Sequence, residues 1–303
     1  MTGSRVLGVC PVVETPFTDD GDVDFDSFGR LLDHLVGTGV RSVMYPGFAS
    51  EFYKLTEDER TSLRDLVIDR FRDVPEAVVV ASVSDHSTRV AVERARSAVE
   101  RGAQMINILP PHLHGPSPAH IVAHVRAILS AIAPATAILQ YAPAQTGSVL
   151  TTAAIVEMAR ETGNLVQVKV ESTPPGRLIS SLQNQEPPLD SVVGYAGVQL
   201  IDALRRGAVG VQPGCSAVEL YQRIWSLWHG REQAAAEQLH RRLLPYIAYW
   251  MQSIELIIAA EKLVSQRRGL IASAHCRAPA HLLDEHELAM IDRFLEEFDD
   301  FLT

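Results

Sequence analysis

Between residues 5 and 229, short apolar runs alternate eight times with stretches of helical spacing. That alternation leaves few folds open. The runs are RVLGVCPVVE (5–14), RSVMYP (41–46), AVVVASV (77–83), QMINIL (104–109), TAILQY (136–141), LVQVKV (165–170), SVVGY (191–195) and AVGVQ (208–212). Helical stretches separate them. In the first, Phe28, Leu31, Leu32, Leu35 and Val36 recur with a period near 3.6, and Gly37 and Gly39 mark its end. Thr56 with Glu59 suits a capping box opening the second. Further helices are expected over 88–101, 118–132, 151–162, 174–183, 199–206 and 216–229. Eight strand–helix units in a row predict an α/β fold, a (β/α)8 TIM barrel. A doubly wound sheet would place a glycine-rich phosphate turn after its first strand, and GVCPVVETPF has none. Leu239, Leu243, Leu244, Trp250, Ile254, Ile257 and Ile258 continue at helical spacing past the eighth unit. The expected organisation is a barrel over 1–230 and a helical extension over 231–303, packed on it.

The chain's charge and cysteines narrow the function classes. A net charge of −10 and the lack of a Lys/Arg cluster speak against nucleic acid as partner. Three cysteines, at 10, 215 and 276, have neither metal-site spacing nor the density of a disulfide scaffold, and His275 and Cys276 have no companion ligands. A reducing, cytoplasmic setting is expected, with no metal and no bound cofactor. The opening MTGSRVLGVCPV lacks the apolar core of a signal peptide, and no run reaches 18 apolar residues.

Barrel sites form at the C-terminal ends of the strands. That rule selects Glu14 and Thr15, the loop 47–51, 110–114, 140–143, 169–171, 194–197 and 212–215. Within LVQVKVE, Val166, Val168 and Val170 alternate with Gln167, Lys169 and Glu171. If the valines face the helices, Lys169 faces the lumen. A lysine taken out of water is held more easily as a neutral amine, which adds to a ketone to form a Schiff base. A lysine paired with Glu171 is the competing reading.

The same segments resemble the dihydrodipicolinate synthase / N-acetylneuraminate lyase family of class I aldolases. VVETPFTDDGDVD resembles that family's T-P-F…G…D opening. YPGFASEFYKLTEDER resembles its G-T-T-G-E…L…E-R loop, and INILPPHLHGPS its P-P-Y-Y segment. LQYAPAQTG resembles Y-N-x-P-x-R-T-G, and VQVKVEST the G-I-K-E/D-S/A strand. The resemblance spans about residues 5–300. It implies the barrel, a lyase acting on pyruvate or another 2-oxo acid with an aldehyde partner, a homo-oligomer (dimer or tetramer), and Lys169 as the Schiff-base lysine.

This chain also departs from the pattern. The paired threonines fall at Phe48 and Ala49, leaving Ser50 as the hydroxyl of the loop. The interface tyrosine falls at Leu113, between His112 and His114, and the arginine at Gln145. The catalytic tyrosine falls at Gln140 when aligned on Pro143, and at Tyr141 when counted back from Lys169. A bulge at the strand end would turn Tyr141 inward, and an extra residue before strand six would explain the offset instead. Lys169 and Tyr141 are therefore the candidate catalytic pair. His112, His114 and Tyr45 are further acid/base candidates. The substrate-binding set is Gly47, Phe48, Ala49, Ser50 and Gln140, with Gln145, Glu171, Tyr195 and Val211. The expected activity is a Schiff-base aldolase or hydratase-aldolase rather than dihydrodipicolinate synthase itself. The alternative is a 2-oxo acid binder that has lost its proton relay.

Overall fold

A computed structural model describes residues 3–302. Residues 1, 2 and 303, the outer ends of the two expected domains, lie outside it. The eight strands are β1 Gly8–Val9, β2 Ser42–Tyr45, β3 Val78–Val83, β4 Met105–Ile108, β5 Thr136–Tyr141, β6 Leu165–Val170, β7 Asp190–Val193 and β8 Gly210–Val211. All pair in parallel, in the order β1-β8-β7-β6-β5-β4-β3-β2. Val12 bridges to both Met44 and Gly214, which closes the ring between β1 and β2. β1 is shorter than the expected 5–14. Pro11 offers no N–H to the ladder, although its carbonyl still accepts from the Met44 amide.

Helices α1 Phe25–Gly37, α2 Glu57–Phe71, α3 Thr88–Arg101 and α4 Pro118–Ile132 follow the first four strands. One turn, α5 Pro143–Thr146, precedes α6 Thr152–Thr162; then come α7 Gly176–Gln183, α8 Leu200–Arg205 and α9 Val218–His229. The extension comprises α10 Gln233–Trp250, α11 Ile254–Arg267 and α12 Glu285–Leu302. The expected capping box forms: Thr56 Oγ1 accepts from the Glu59 amide at 3.2 Å, and Glu59 Oε2 accepts from the Thr56 amide at 2.9 Å. Side-chain caps at Asp24, Ser87, Ser117 and Thr151 start four more helices.

Two apolar layers result. The larger lies between strands and helices and includes Phe28, Ile106, Leu139, Val168 and Val170. The smaller fills the lower lumen with Val6, Cys10, Met44, Val80, Met105, Ile138 and Val192. Below them Gln167 bonds both the amide and the carbonyl of Val6 at 2.8 Å. The lumen is thus plugged at its base, and its polar residues collect at the upper end. β6 departs from simple alternation. Its pairing with β5 jumps from Ala137–Leu165 to Ile138–Gln167, which leaves Val166 bulged and packed against the inner layer. Val168 and Val170 face the helices as expected; Val166 does not.

Candidate active site

Lys169 sits near the upper end of β6, in register with Gln140 and Val192 on its neighbours. It is 4% exposed. Its Nζ lies 3.5 Å from Glu171 Oε1. That carboxylate is held from three sides. Gln140 Nε2 donates to Oε2 at 2.7 Å, the Tyr195 amide donates to Oε1 at 3.3 Å, and the chain behind is Gly194. A Cβ at 194 would lie 2.3 Å from Oε1, so only glycine leaves the carboxylate its seat. Behind Gln140, Asn107 Nδ2 donates to Gln140 Oε1 at 2.9 Å and to Ser82 Oγ at 2.8 Å. A polar chain therefore runs across β3, β4 and β5 to the carboxylate beside the lysine.

Lys169 and Glu171 open onto a cavity of about 60 Å³. At about 10–15 Å³ for one water, it has room for roughly four to six waters, the size of a small oxo acid. Six of the expected residues line it: Phe48, Ala49, Gln145, Lys169, Glu171 and Tyr195. Gln145 donates its amide to the Tyr195 hydroxyl. The mouth is walled by Met251, Ile254, Ile257 and Ile258 of the extension, so α11 belongs to the pocket as well as to the barrel's outer packing.

The other expected residues lie elsewhere. Tyr141 does not reach the lumen. Its ring lies in the outer layer and its hydroxyl donates to the Leu150 carbonyl at 3.1 Å. The pairs Gln140–Lys169 and Tyr141–Val170 are regular, so the lumen side falls to Gln140. The irregularity sits at Val166, inside β6 rather than at the end of β5 or ahead of strand six. Tyr45 is fully buried against Phe28, and its hydroxyl shares a 3.1 Å hydrogen bond with Thr15. Val211 faces the outer layer, and its neighbour Gln212 takes the lumen side. His112 and His114 lie on a surface loop with Leu113, which is 55% exposed, and do not line the cavity. Ser50 is spent on structure: Oγ accepts from the Gly47 amide at 2.9 Å and donates to the Val13 carbonyl. Gly47 lies over Val12 and Met44, where a Cβ would stand 2.5 Å from the first and 2.9 Å from the second. Gln140 touches the cavity only through Glu171.

Three polar residues of the lining lay outside the expected set: Glu14, Gln212 and Glu261. The rim rule reaches Glu14 and Gln212, since both follow strand ends. Glu261 comes from α11, far along the chain. The signal for it is the pair Glu261-Lys262 set inside the otherwise apolar stretch LIIAAEKLV (256–264), where both are buried. Burial pushes the Glu14 carboxyl up to about 7, against the pull of Ser265 and Lys262. Burial, and then the charge of Glu14, pushes Glu261 up to about 8. The same surroundings, burial first and Glu14 second, raise the Cys215 thiol well above its ordinary value, which leaves it an inert neighbour.

A closed parallel barrel with a buried lysine at the end of its sixth strand, beside a carboxylate and above a plugged lumen, defines the class. The sequence profile described as the dihydrodipicolinate synthetase family matches residues 5–298, and the chain belongs to that family. Its relatives perform different reactions. A 4-hydroxy-tetrahydrodipicolinate synthase from Acaryochloris marina is 29% identical over 76% of this chain and 78% of its own length. An L-2-keto-3-deoxyarabonate dehydratase from Azospirillum brasilense is 28% identical over 91% of this chain and 89% of its own. Among solved structures, a prophage protein of the dihydrodipicolinic acid synthase family from E. coli K12, in complex with pyruvate, superposes with a TM-score of 0.88 at 24% identity, over 98% of this chain and 99% of that one. That likeness shows the shared fold.

Proposed function

We propose that this protein is a Schiff-base-forming lyase, an aldolase or hydratase-aldolase, acting on pyruvate or another small 2-oxo acid. The observation that carries the reading is Lys169, buried at the end of β6 and opening onto a cavity of oxo-acid size. Glu171, 3.5 Å away, is placed to take the proton that the ammonium must lose before it attacks. The oxo-acid carboxylate would be met by the amide N–H groups of Phe48 and Ala49. Both open the turn Phe48–Ser50 and have no acceptor within it. Phe48 and the isoleucines of α11 favour an apolar aldehyde partner over a sugar. The exposed Leu113 loop, where the resemblance places an interface residue, fits a homo-oligomer.

The test is reductive trapping with a panel of 2-oxo acids, read by intact mass. Wild type is expected to gain one adduct and Lys169→Ala none. Equal labelling of the variant would assign the reaction to another lysine. The second reading, a 2-oxo acid binder, is favoured by the Lys169–Glu171 contact and by Gln140 at the position the resemblance gives to a tyrosine. Saturable pyruvate binding with no adduct in wild type would select it.

The protein is further expected to be a poor dihydrodipicolinate synthase. Gln145 is neutral and bonded to Tyr195, and Arg177 is exposed and lines no part of the cavity. Losing a charged pair to the second substrate costs about 2–5 kcal/mol, roughly 30- to several-thousand-fold in efficiency. A coupled assay with pyruvate and aspartate semialdehyde checks this. Efficiency within about threefold of a family synthase would sink it.

A further inference from the structure

Glu14 and Glu261 are the feature of the pocket that the lysine chemistry above leaves unused. Glu14 closes the strand segment after β1 and is 2% exposed; neither of its carboxyl oxygens makes a hydrogen bond of ordinary geometry, although the Ser265 hydroxyl is near enough to pull on it. Glu261 reaches the same cavity from α11, and its carboxyl lies against the bare backbone of Gly214. A Cβ at 214 would stand 1.5 Å from Glu261 Oε2, so the glycine is what seats the acid. Gln212, on the next wall, also holds a buried carbonyl oxygen without a partner. A buried polar group left unpaired costs free energy, and a pair of acids sharing a site holds on to a proton.

The charged groups around this pair are otherwise engaged. On α11, Lys262 is turned to Glu51 and to the His275 carbonyl. Beyond its end, Arg268 is turned to Glu219 and the Ser216 carbonyl. Glu51, from the loop after β2, is held by Lys262 and by Lys54. Tyr221, from α9, donates to the Ala196 carbonyl, and Cys215 takes the Glu14 amide. Among the described residues, Lys169 is the one basic side chain lining the cavity, and it faces Glu171.

We propose that Glu261, with Glu14 behind it as a positioning residue, is the group that moves protons to and from the substrate bound on Lys169. The step rests on the Schiff-base reading and balances as follows. The neutral amine adds to C2 of the oxo acid, and proton transfer from nitrogen to oxygen gives the carbinolamine. Protonated Glu261 gives its proton to the carbinolamine hydroxyl, which leaves as water, and the C–N double bond forms. The Glu261 carboxylate then takes a proton from C3, giving the enamine and restoring the acid. Burial, and then the negative charge of Glu14, keeps Glu261 protonated near neutrality.

The test uses the full-length protein and pyruvate alone, with exchange of the pyruvate methyl protons in D2O followed by NMR as a function of pH. Reductive trapping is run in parallel. Glu261→Gln is expected to slow exchange by about 100-fold or more while still reaching a trapped adduct at long times. Glu14→Gln is expected to slow it about tenfold and to move the pH limb downward, a change that a purely structural role would not produce. Glu261→Asp should recover part of the rate. Circular dichroism confirms that the isosteric variants are folded. Wild-type exchange rates and pH profile in Glu261→Gln would overturn the proposal, and loss in Glu171→Gln alone would hand the role to Glu171. An adduct without exchange in wild type would also overturn it and leave the lysine reading standing. No adduct and no exchange in wild type would remove both.

Discussion

Glu261 and Lys262 are neighbours on one helix, and they live in opposite electrostatic worlds. Lys262 is fully buried and fully satisfied. Its ammonium meets Glu51, donates to the His275 carbonyl at 2.9 Å, and sits 4.2 Å over the Phe17 ring. Glu51 in turn takes Lys54 at 3.0 Å, which reaches Glu255 at 2.6 Å. Glu261 has no such partners and faces a cavity. Successive helical residues point about 100° apart, so one turn of α11 serves two faces. The first face pins the loop 47–51 in place, including Glu51 at a left-handed φ of 54°. The second holds an acid that nothing neutralises. A satisfied buried charge is scaffold, and an ionisable group without a partner in a cleft is a candidate for chemistry.

The largest effect should come from breaking the satisfied side. Lys262→Ala leaves Glu51 buried without its main partner, and about 3–5 kcal/mol of stability should go. Urea unfolding checks it. A loss below about 1 kcal/mol would mean that Lys54 alone holds Glu51 and that the contrast between the two neighbours is false.

The unsatisfied side should respond with the opposite sign. Glu14 and Glu261 carry folded-state values of about 7 and about 8, above the ordinary 4.5. The folded protein then binds more protons than the unfolded chain between those values, so stability falls as pH rises from about 4.5 towards about 8. The stability is full below the ordinary value and reaches its floor above the raised ones. Glutamine at either position removes that residue's share of the fall. Glu14→Gln and Glu261→Gln should each gain on the order of 1–3 kcal/mol at pH ~8 over wild type, and little near pH ~4. Glu59 shows the reverse. Its hydrogen bonds to Arg277 bring it down to about 2, so its contribution is present above the ordinary value and is lost as pH falls through about 2. Thermal denaturation across pH separates the two. Equal pH dependence in wild type and the glutamine variants would mean the two acids have partners in solution.

The two faces of α11 were not equally legible in the sequence. Strand and helix periods gave the barrel, because burying one side of each element imposes them over many residues. Lys169 was legible for the same reason, since two valines on the helix side fix its direction. Tyr141 was not, because one residue of register reverses the side, and the bulge at Val166 leaves no composition signal. Val211 failed by the same one-residue margin, with Gln212 beside it. Glu14 and Gln212 fell within the rim that the barrel rule marks, though neither was given a role from sequence. Glu261 was hidden. A helix beyond the eighth unit reads as packing, and only the fold brings it over the mouth of β1 and β8.

An intermediate effect should follow from disturbing the seat and leaving the acid intact. Gly214 lies outside the left-handed region, so alanine is tolerated by the backbone there. The three atoms nearest its Cβ would be the carboxyl group of Glu261, the far end of a side chain that can swing away. Gly214→Ala should therefore cost about 1 kcal/mol or less in stability and still slow methyl exchange about tenfold. Unchanged exchange would show that the glycine is there for packing alone.

The smallest effect sharpens the contrast between a hydroxyl that sequence assigned to the pocket and the acids that line it. Tyr141 donates to the Leu150 carbonyl within the outer layer, where its ring contributes packing and its oxygen one hydrogen bond. Tyr141→Phe keeps the ring and removes the oxygen. The Leu150 carbonyl loses that donor, and about 0.5–1 kcal/mol should be lost, read as a small drop in unfolding midpoint. Adduct formation and methyl exchange should match wild type, because strand alternation sends the Lys169 side of β5 to Gln140. A tenfold or greater fall in exchange, with the stability loss no larger than stated, would place the hydroxyl in the lumen. It would then compete with Glu261 for the proton.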